Sequence, residues 1–294
     1  MNLSARRSGW WLTGVVLAAA GLAAVLPPAK AQDAPKRTEL RVCQDPNNLP
    51  FSNTKGEGIE NKIAEVFGKA LGLPVTYYSF PQRLAFIRNT LRYKLPGEDF
   101  RCDIVMGLPV GFDEGASVTK PYYRSTYALV IPKGRGMDGV ATADDFLKLG
   151  PAKLQALHIG IYDRSPASEW LERHHLVEAG VPYPIMNPDP DQYPGQIIEN
   201  DLAQGKIDAA IVWGPIAGYF AKRVKTPQLV VIPLKSEPGV KLDYQMAMGV
   251  RYGEREWKQQ VEGLIDSQAP AIQAILQEFN VPIVDASYEA PKQK

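Results

Sequence analysis

The chain is poor in the residues that most often carry chemistry. It has two cysteines, Cys43 and Cys102, and three histidines, His158, His174 and His175. Two cysteines and three scattered histidines do not make a zinc ligand set. There is no Gly-x-Ser-x-Gly elbow, and no histidine stands near a nucleophile candidate. No carboxylate pair sits in a setting that argues for acid–base work, so catalysis has no support and no cofactor is expected. Charge is nearly balanced as well, with 33 Lys and Arg against 32 Asp and Glu. Without a basic stripe or a polybasic tail, neither nucleic acid nor a charged membrane surface is an expected partner. Beyond residue 31 no segment is apolar enough to cross a bilayer, which excludes stable membrane insertion of that part.

What is present is ordinary globular composition, 45% hydrophobic and 22% charged over 294 residues. That length suits two modest domains or one large one. The first 31 residues stand apart. "MNLSARR" is positive, "GWWLTGVVLAAAGLAAVL" is apolar, and Ala29 and Ala31 place small residues before a cleavage point. This is the pattern of a secretory signal peptide (residues 1–31), with the mature chain beginning at Gln32. An uncleaved anchor is the alternative, but the prolines and the Ala-Lys-Ala site favour cleavage. Residues 1–31 carry Arg6, Arg7 and Lys30 and no acid, so the mature chain holds 30 basic and 32 acidic residues.

Short apolar strands alternate with helical stripes. "LRVC" is followed by a stripe of Ile59, Ile63, Val66, Phe67, Ala70 and Leu71, then by the strand "LPVTYYSF". "QRLAFIRNTLR" reads as a helix with Leu84, Ile87 and Leu91 on one face, and "CDIVMGL" as a buried strand. Strand–helix–strand–helix–strand implies right-handed crossovers and a parallel sheet. Export permits a disulfide between Cys43 and Cys102 if their strands are neighbours; two separate buried thiols are the alternative.

A long extended run, "PYYRSTYALVIP", leaves this unit, and a second series repeats the logic through "LHIGIY", "PASEWLERHHLVEAG", "PYPIM", "GQIIENDLAQG" and "IDAAIVW". After "LVVIPL" and "YQMAMGV" two helices close the chain. The expectation is an α/β fold of two lobes: residues 32–127 plus 245–294 form the first, and 128–244 form a second inserted in it. Crossings near 127–133 and 240–246 make a hinge. The loops at the carboxyl ends of both sheets then face one cleft.

In this order and spacing, "LRVCQDPNNLPFS", "GIENKIAEVFGKALGLPVTY", "CDIVMG", "KPYYRSTYALV" and "LAQGKIDAAIVW" resemble the periplasmic solute-binding proteins of the two-crossing type II fold. The resemblance narrows through "RVCQDPNNLPFSN", "PQRLAFIRNTL", "CDIVMGLPVGFD" and "TKPYYRSTYALV" to the MoxJ/XoxJ-type proteins of the methanol-oxidation system. It implies a periplasmic location and a partner, a PQQ-dependent quinoprotein methanol dehydrogenase. Amino-acid binders of the superfamily follow the third strand with Thr-x-x-Arg, whose arginine forks onto the ligand carboxylate. Here Phe112 and Asp113 stand about there, and Trp213 stands where a carboxylate would hold the ligand ammonium. A desolvated ligand charge without a partner costs several kcal/mol, so the cleft is expected to be more apolar and unsuited to a free amino acid.

Strand ends nominate the cleft residues. Asn47, Asn48, Leu49 and Phe51 follow the first strand, Gln82 and Arg83 the second, and Leu108, Pro109 and Phe112 the third. Tyr122, Tyr123 and Arg124 approach the hinge, Arg164, Ser165 and Ser168 open a second-lobe helix, and Trp213 faces them. Asn47 and Asn48 supply either ligand contacts or bonds to a turn. Tyr122 and Tyr123 suit hinge packing better than ligand contact. Trp213 is the strongest candidate, because a core tryptophan needs a partner for its N–H and a cleft tryptophan does not.

Three signals are discounted. "GRGMDG" matches a dinucleotide fingerprint literally but lacks the βαβ context. "NPDPDQYPG" alternates Asn187, Asp189 and Asp191 without the glycine and glutamate of a calcium loop. His174 and His175 are helix neighbours about 100° apart and read as solvated. Two functions stay in view. The first is an accessory protein whose cleft grips a segment or hydrophobic group of the dehydrogenase, aiding its assembly, activation or maturation. The second is the substrate-binding protein of an ABC-type transporter for a small non-amino-acid solute, with Arg83, Arg124 and Arg164 available to an anion.

Overall fold

The computed structural model describes residues 37–82, 85–185, 189 and 191–290. The signal-peptide pattern and Arg83 lie outside them. The first series runs β1 (Leu40–Gln44), β2 (Asn47–Asn48), β3 (Ser52–Asn53), α1 (Ile59–Leu71), β4 (Val75–Ser79), α2 (Phe86–Asn89), β5 (Ile104–Pro109), β6 (Ser117–Val118) and β7 (Tyr123–Pro132). The second contains α3 (Ala143–Leu147), α4 (Pro151–Gln155), β8 (Ile159–Tyr162), α5 (Pro166–Arg173), β9 (Gly180–Tyr183), β10 (Ala209–Trp213), α6 (Gly214–Arg223) and β11 (Leu229–Pro233). β12 (Asp243–Val250), α7 (Arg255–Ser267) and α8 (Ala269–Glu278) return to the first.

The strands lie in the order β4-β1-β5-β12-β7-β10-β8-β9, with β11 also on β7 and β6 on β12. β4, β1 and β5 are parallel, as are β10, β8 and β9. The lobes meet along β7. Its first four residues pair with β12, from Met246↔Tyr123 to Asp243↔Thr126, and from Tyr127 onward it pairs with β10, opposite Trp213. Period-two alternation then gives each lobe two apolar layers. On β7 and β10, Leu129, Ile131, Ala209 and Ile211 face one second-lobe cluster, while Ala128, Val130, Ala210 and Val212 face the other.

α1 buries Ile59, Ile63, Ala64 and Phe67 against β1 and β5 residues Leu40, Val42 and Ile104. Gly72 ends it at φ +65°, the left-handed cap that glycine adopts without steric cost. Parallel pairing of β1 and β5 brings the cysteines together, and a Cys43–Cys102 disulfide closes a separation of 59 residues in a cluster with Phe86, Leu91 and Leu108.

Two elements differ from expectation. The helix expected over "QRLAFIRNTLR" is a single turn, α2. Ala85 enters it at φ +65°, and Thr90 Oγ1 donates to Phe86 O, a side-chain bond that competes with helical continuation. The segment Ile197–Leu202 is π-helical. His174 is also not a solvated helix position. α5 stops at Arg173, His175 takes φ +57°, and His174 Nε2 lies 2.9 Å from Glu237 Oε1 with its ring 4.4 Å from Trp170.

Candidate binding cleft

The loop after β1 is built as a polar scaffold. Asn61, buried on α1, accepts from the backbone N–H of Asn53 and Gly58 and donates to Gln44 Oε1. Gln44 in turn donates to Ser79 Oγ. Asp45 accepts from the N–H of Asn47 at 2.8 Å and from that of Gln82, and Asn48 Nδ2 donates to Gln82 Oε1 at 2.7 Å. Gly58 cannot be larger, since a Cβ would lie 2.1 Å from Phe51 O. Leu49 and Phe51 project from this scaffold onto the second-lobe cluster of Val212, Ile216 and Phe220.

Between the lobes lies a cavity of about 330 Å³. The first lobe contributes Asp45, Pro46, Asn47, Asn48, Phe51, Pro81 and Gln82. The rest of the wall is aromatic and proline-rich: Tyr127, Tyr162, Tyr183, Tyr193, Trp213, Pro184 and Pro194, with Ile185, Ile197, Ile216, Ser165, Gln192 and Gln196. Among the described lining residues Asp45 is the only charged one. Tyr162, Tyr183 and Trp213 are the last residues of the parallel strands β8, β9 and β10. Trp213 continues to Tyr127, ring centroids 5.5 Å apart, and to Tyr244 at 5.8 Å.

The phenols are anchored at their tips. Tyr162 donates to Pro194 O, Tyr183 to Asp201 and Tyr193 to Glu199, at 2.7, 2.7 and 2.8 Å. Burial pushes all three hydroxyls up, that of Tyr193 to about 12, so they stay protonated near neutrality. Ser165 caps no amide; its Oγ is buried with no hydrogen-bond partner among the described residues.

Of the residues nominated from sequence, Asn47, Asn48, Phe51, Gln82, Ser165 and Trp213 share this cavity. The other described ones lie elsewhere. Leu49 packs on the second lobe, while Leu108 and Phe112 belong to the cluster around the disulfide. Pro109 pairs with Met246 in the sheet. Tyr122 and Tyr123 are buried in the first-lobe core, their rings 4.9 Å apart. Arg124 is held by Asp243 at 3.0 Å and Glu289 at 2.6 Å. Arg164, at φ +54°, projects into solvent beside Asp163, and Ser168 is the third residue of α5. Sequence reasoning missed Tyr127, Tyr162, Tyr183 and Tyr193. The strand-end rule would have found Tyr162 and Tyr183; Tyr193 sits in a loop with no local signal.

Behind the cavity, Glu60 opens α1 under Gly107, where a Cβ would stand 2.7 Å from Glu60 Oε1. Glu60 retains some exposed area, but burial of the carboxyl and repulsion from Asp45 raise it from its ordinary 4.5 to about 8. Among the described residues no His, Cys, Asp and Glu group could hold a metal ion, and no helix is long and apolar enough to cross a membrane.

Two α/β lobes joined through β7 and β12, with a cavity between them, define a type II periplasmic binding protein, and solved structures agree. The chain is 35% identical to periplasmic binding protein XoxJ from Methylobacterium extorquens AM1, over 84% of this chain and 99% of that one, with a TM-score of 0.65. MxaJ from Methlophaga aminisulfidivorans shares the fold at 21% identity, TM-score 0.68, over 83% and 100% of the two chains. Protein MoxJ of Paracoccus denitrificans is 28% identical over 283 residues, 92% of this chain and 96% of that protein. No protein-family model matches the chain. The chain belongs to the MoxJ/XoxJ-type periplasmic binding proteins, a group associated by name with methanol oxidation.

Proposed function

We propose that this protein is a non-catalytic accessory protein of periplasmic methanol oxidation, helping a PQQ-dependent methanol dehydrogenase to assemble, activate or mature through its inter-lobe cavity. In this reading residues 32–127 with 245–294, and 128–244, are the lobes that close on the partner. One observation carries it: the cavity wall is aromatic and proline-rich and has no basic side chain among its described residues. A free amino acid would bring a carboxylate there without a counterion. Titrating the mature protein with its native dehydrogenase by calorimetry, before and after adding the quinone, tests the reading. Saturable binding that Trp213→Ala weakens is the expected result; no binding in any state of the enzyme would overturn it.

The second reading is a transport receptor for a small non-amino-acid solute, favoured by Ser165, whose buried hydroxyl awaits a partner in the same cavity. A compound retained from periplasmic extract, lost in Ser165→Ala, together with no dehydrogenase binding, would establish it instead.

A further inference from the structure

The character of the cavity wall narrows what can occupy it. Two of its phenols, Tyr183 and Tyr193, donate to the carboxylates of Asp201 and Glu199. A phenol proton drawn toward a carboxylate leaves more electron density in the ring, which strengthens the negative face of its quadrupole. The counter-charges of those carboxylates lie outside the wall, on Lys206 at 2.9 Å and Arg223 at 2.8 Å. Asp45 is the one acidic side chain of the described lining, held by the N–H groups of Asn47 and Gln82, and Glu60 lies near enough to feel it. Arg124 and Arg164 are turned to other partners.

We propose that the cavity takes an organic cation, an ammonium group surrounded by the rings of Tyr162, Tyr183, Tyr193 and Trp213 and attracted by Asp45. The proposal rests on the reading of this cavity as the binding site and names the chemistry of its occupant. A volume of about 330 Å³ is at the low end for small-molecule sites and suits one such group, not a long peptide. The same chemistry comes from two sources, a free small ammonium compound or a lysine side chain presented by a partner segment.

Matched pairs that differ in charge test it on the mature protein, by calorimetry and tryptophan fluorescence. Choline is compared with its carbon isostere 3,3-dimethylbutan-1-ol, and Nα-acetyl-lysine amide with Nα-acetyl-norleucine amide. A preference of roughly fivefold or more for a cation over its neutral partner is expected. Preference confined to choline assigns a free small cation, and preference for the lysine amide a partner side chain. Equal affinity within both pairs, or no binding of any probe, overturns the proposal. So does binding of benzoate that Arg83→Ala abolishes. Tyr193→Leu is expected to reduce the preference. Glu199→Gln, which keeps the ring, is expected to reduce it less, with thermal unfolding showing that both variants fold. An unchanged preference in both variants also overturns the proposal. A protein that binds the dehydrogenase yet shows no charge preference keeps the accessory role and loses only this inference.

Discussion

The two walls of the cleft are built on opposite principles. The first-lobe wall is a loop held by hydrogen bonds to its backbone and between side chains, with Asn61, Gln44, Asp45 and Asn48 each bonded within the lobe. The second-lobe wall is a set of half-buried rings, Tyr162 and Tyr183 at strand ends and Tyr193 in a loop, each anchored at its hydroxyl. Buried hydrogen bonds fix position because leaving one unmade costs more than making it returns. Half-buried rings leave contact area available to an occupant. The first wall is a rigid template and the second supplies most of the ring faces that line the cavity, so changes to the two walls should separate stability from binding.

The largest effect should come from the base of the rigid wall. Replacing Cys43 and Cys102 by alanine removes the tether over 59 residues of separation and should cost about 4 kcal/mol in chemical denaturation. Asn61→Ala strands two buried N–H groups and one amide oxygen and should cost about 3 kcal/mol in the same measurement. Denaturation midpoints unmoved by either change would erase the distinction between the walls. Glu60 gives a pH dependence. Its folded carboxyl holds a proton that the unfolded chain releases above about 4.5, so stability falls as pH rises from there toward about 8. Thermal scans across that window should show a decline that Glu60→Gln removes. The smallest effect on stability belongs to the binding wall: Tyr193→Leu should cost no more than about 1 kcal/mol while weakening binding of dehydrogenase or cation.

How much of this was legible in the chain divides along the same line. The βα alternation of both lobes, the α1 stripe and the pairing of Cys43 with Cys102 follow from apolar period and strand adjacency, which are local or nearly so. The strand-end rule reached Asn47, Phe51 and Trp213, but it also nominated Leu108, Pro109 and Phe112. β5 there is flanked by β12, and its end packs around the disulfide, so the carboxyl end of that strand feeds a core. The expected α2 shrank because Thr90 bonds back onto Phe86, a competition that apolar periodicity does not register.

By itself the sequence determined the alternation of strand and helix in both lobes and the order in which the lobes are built, because these depend on residue type and spacing along the chain. The tertiary structure alone decided that Tyr127, Tyr162, Tyr183, Tyr193 and Trp213 share one wall, and that Arg124 turns away to Asp243 and Glu289. Those side chains are separated by up to 86 positions along the chain. The parallel register of β10, β8 and β9, with β7 running antiparallel beside β10, places Tyr127, Tyr162, Tyr183 and Trp213 around a common space, and Tyr193 joins them from a loop through its bond to Glu199.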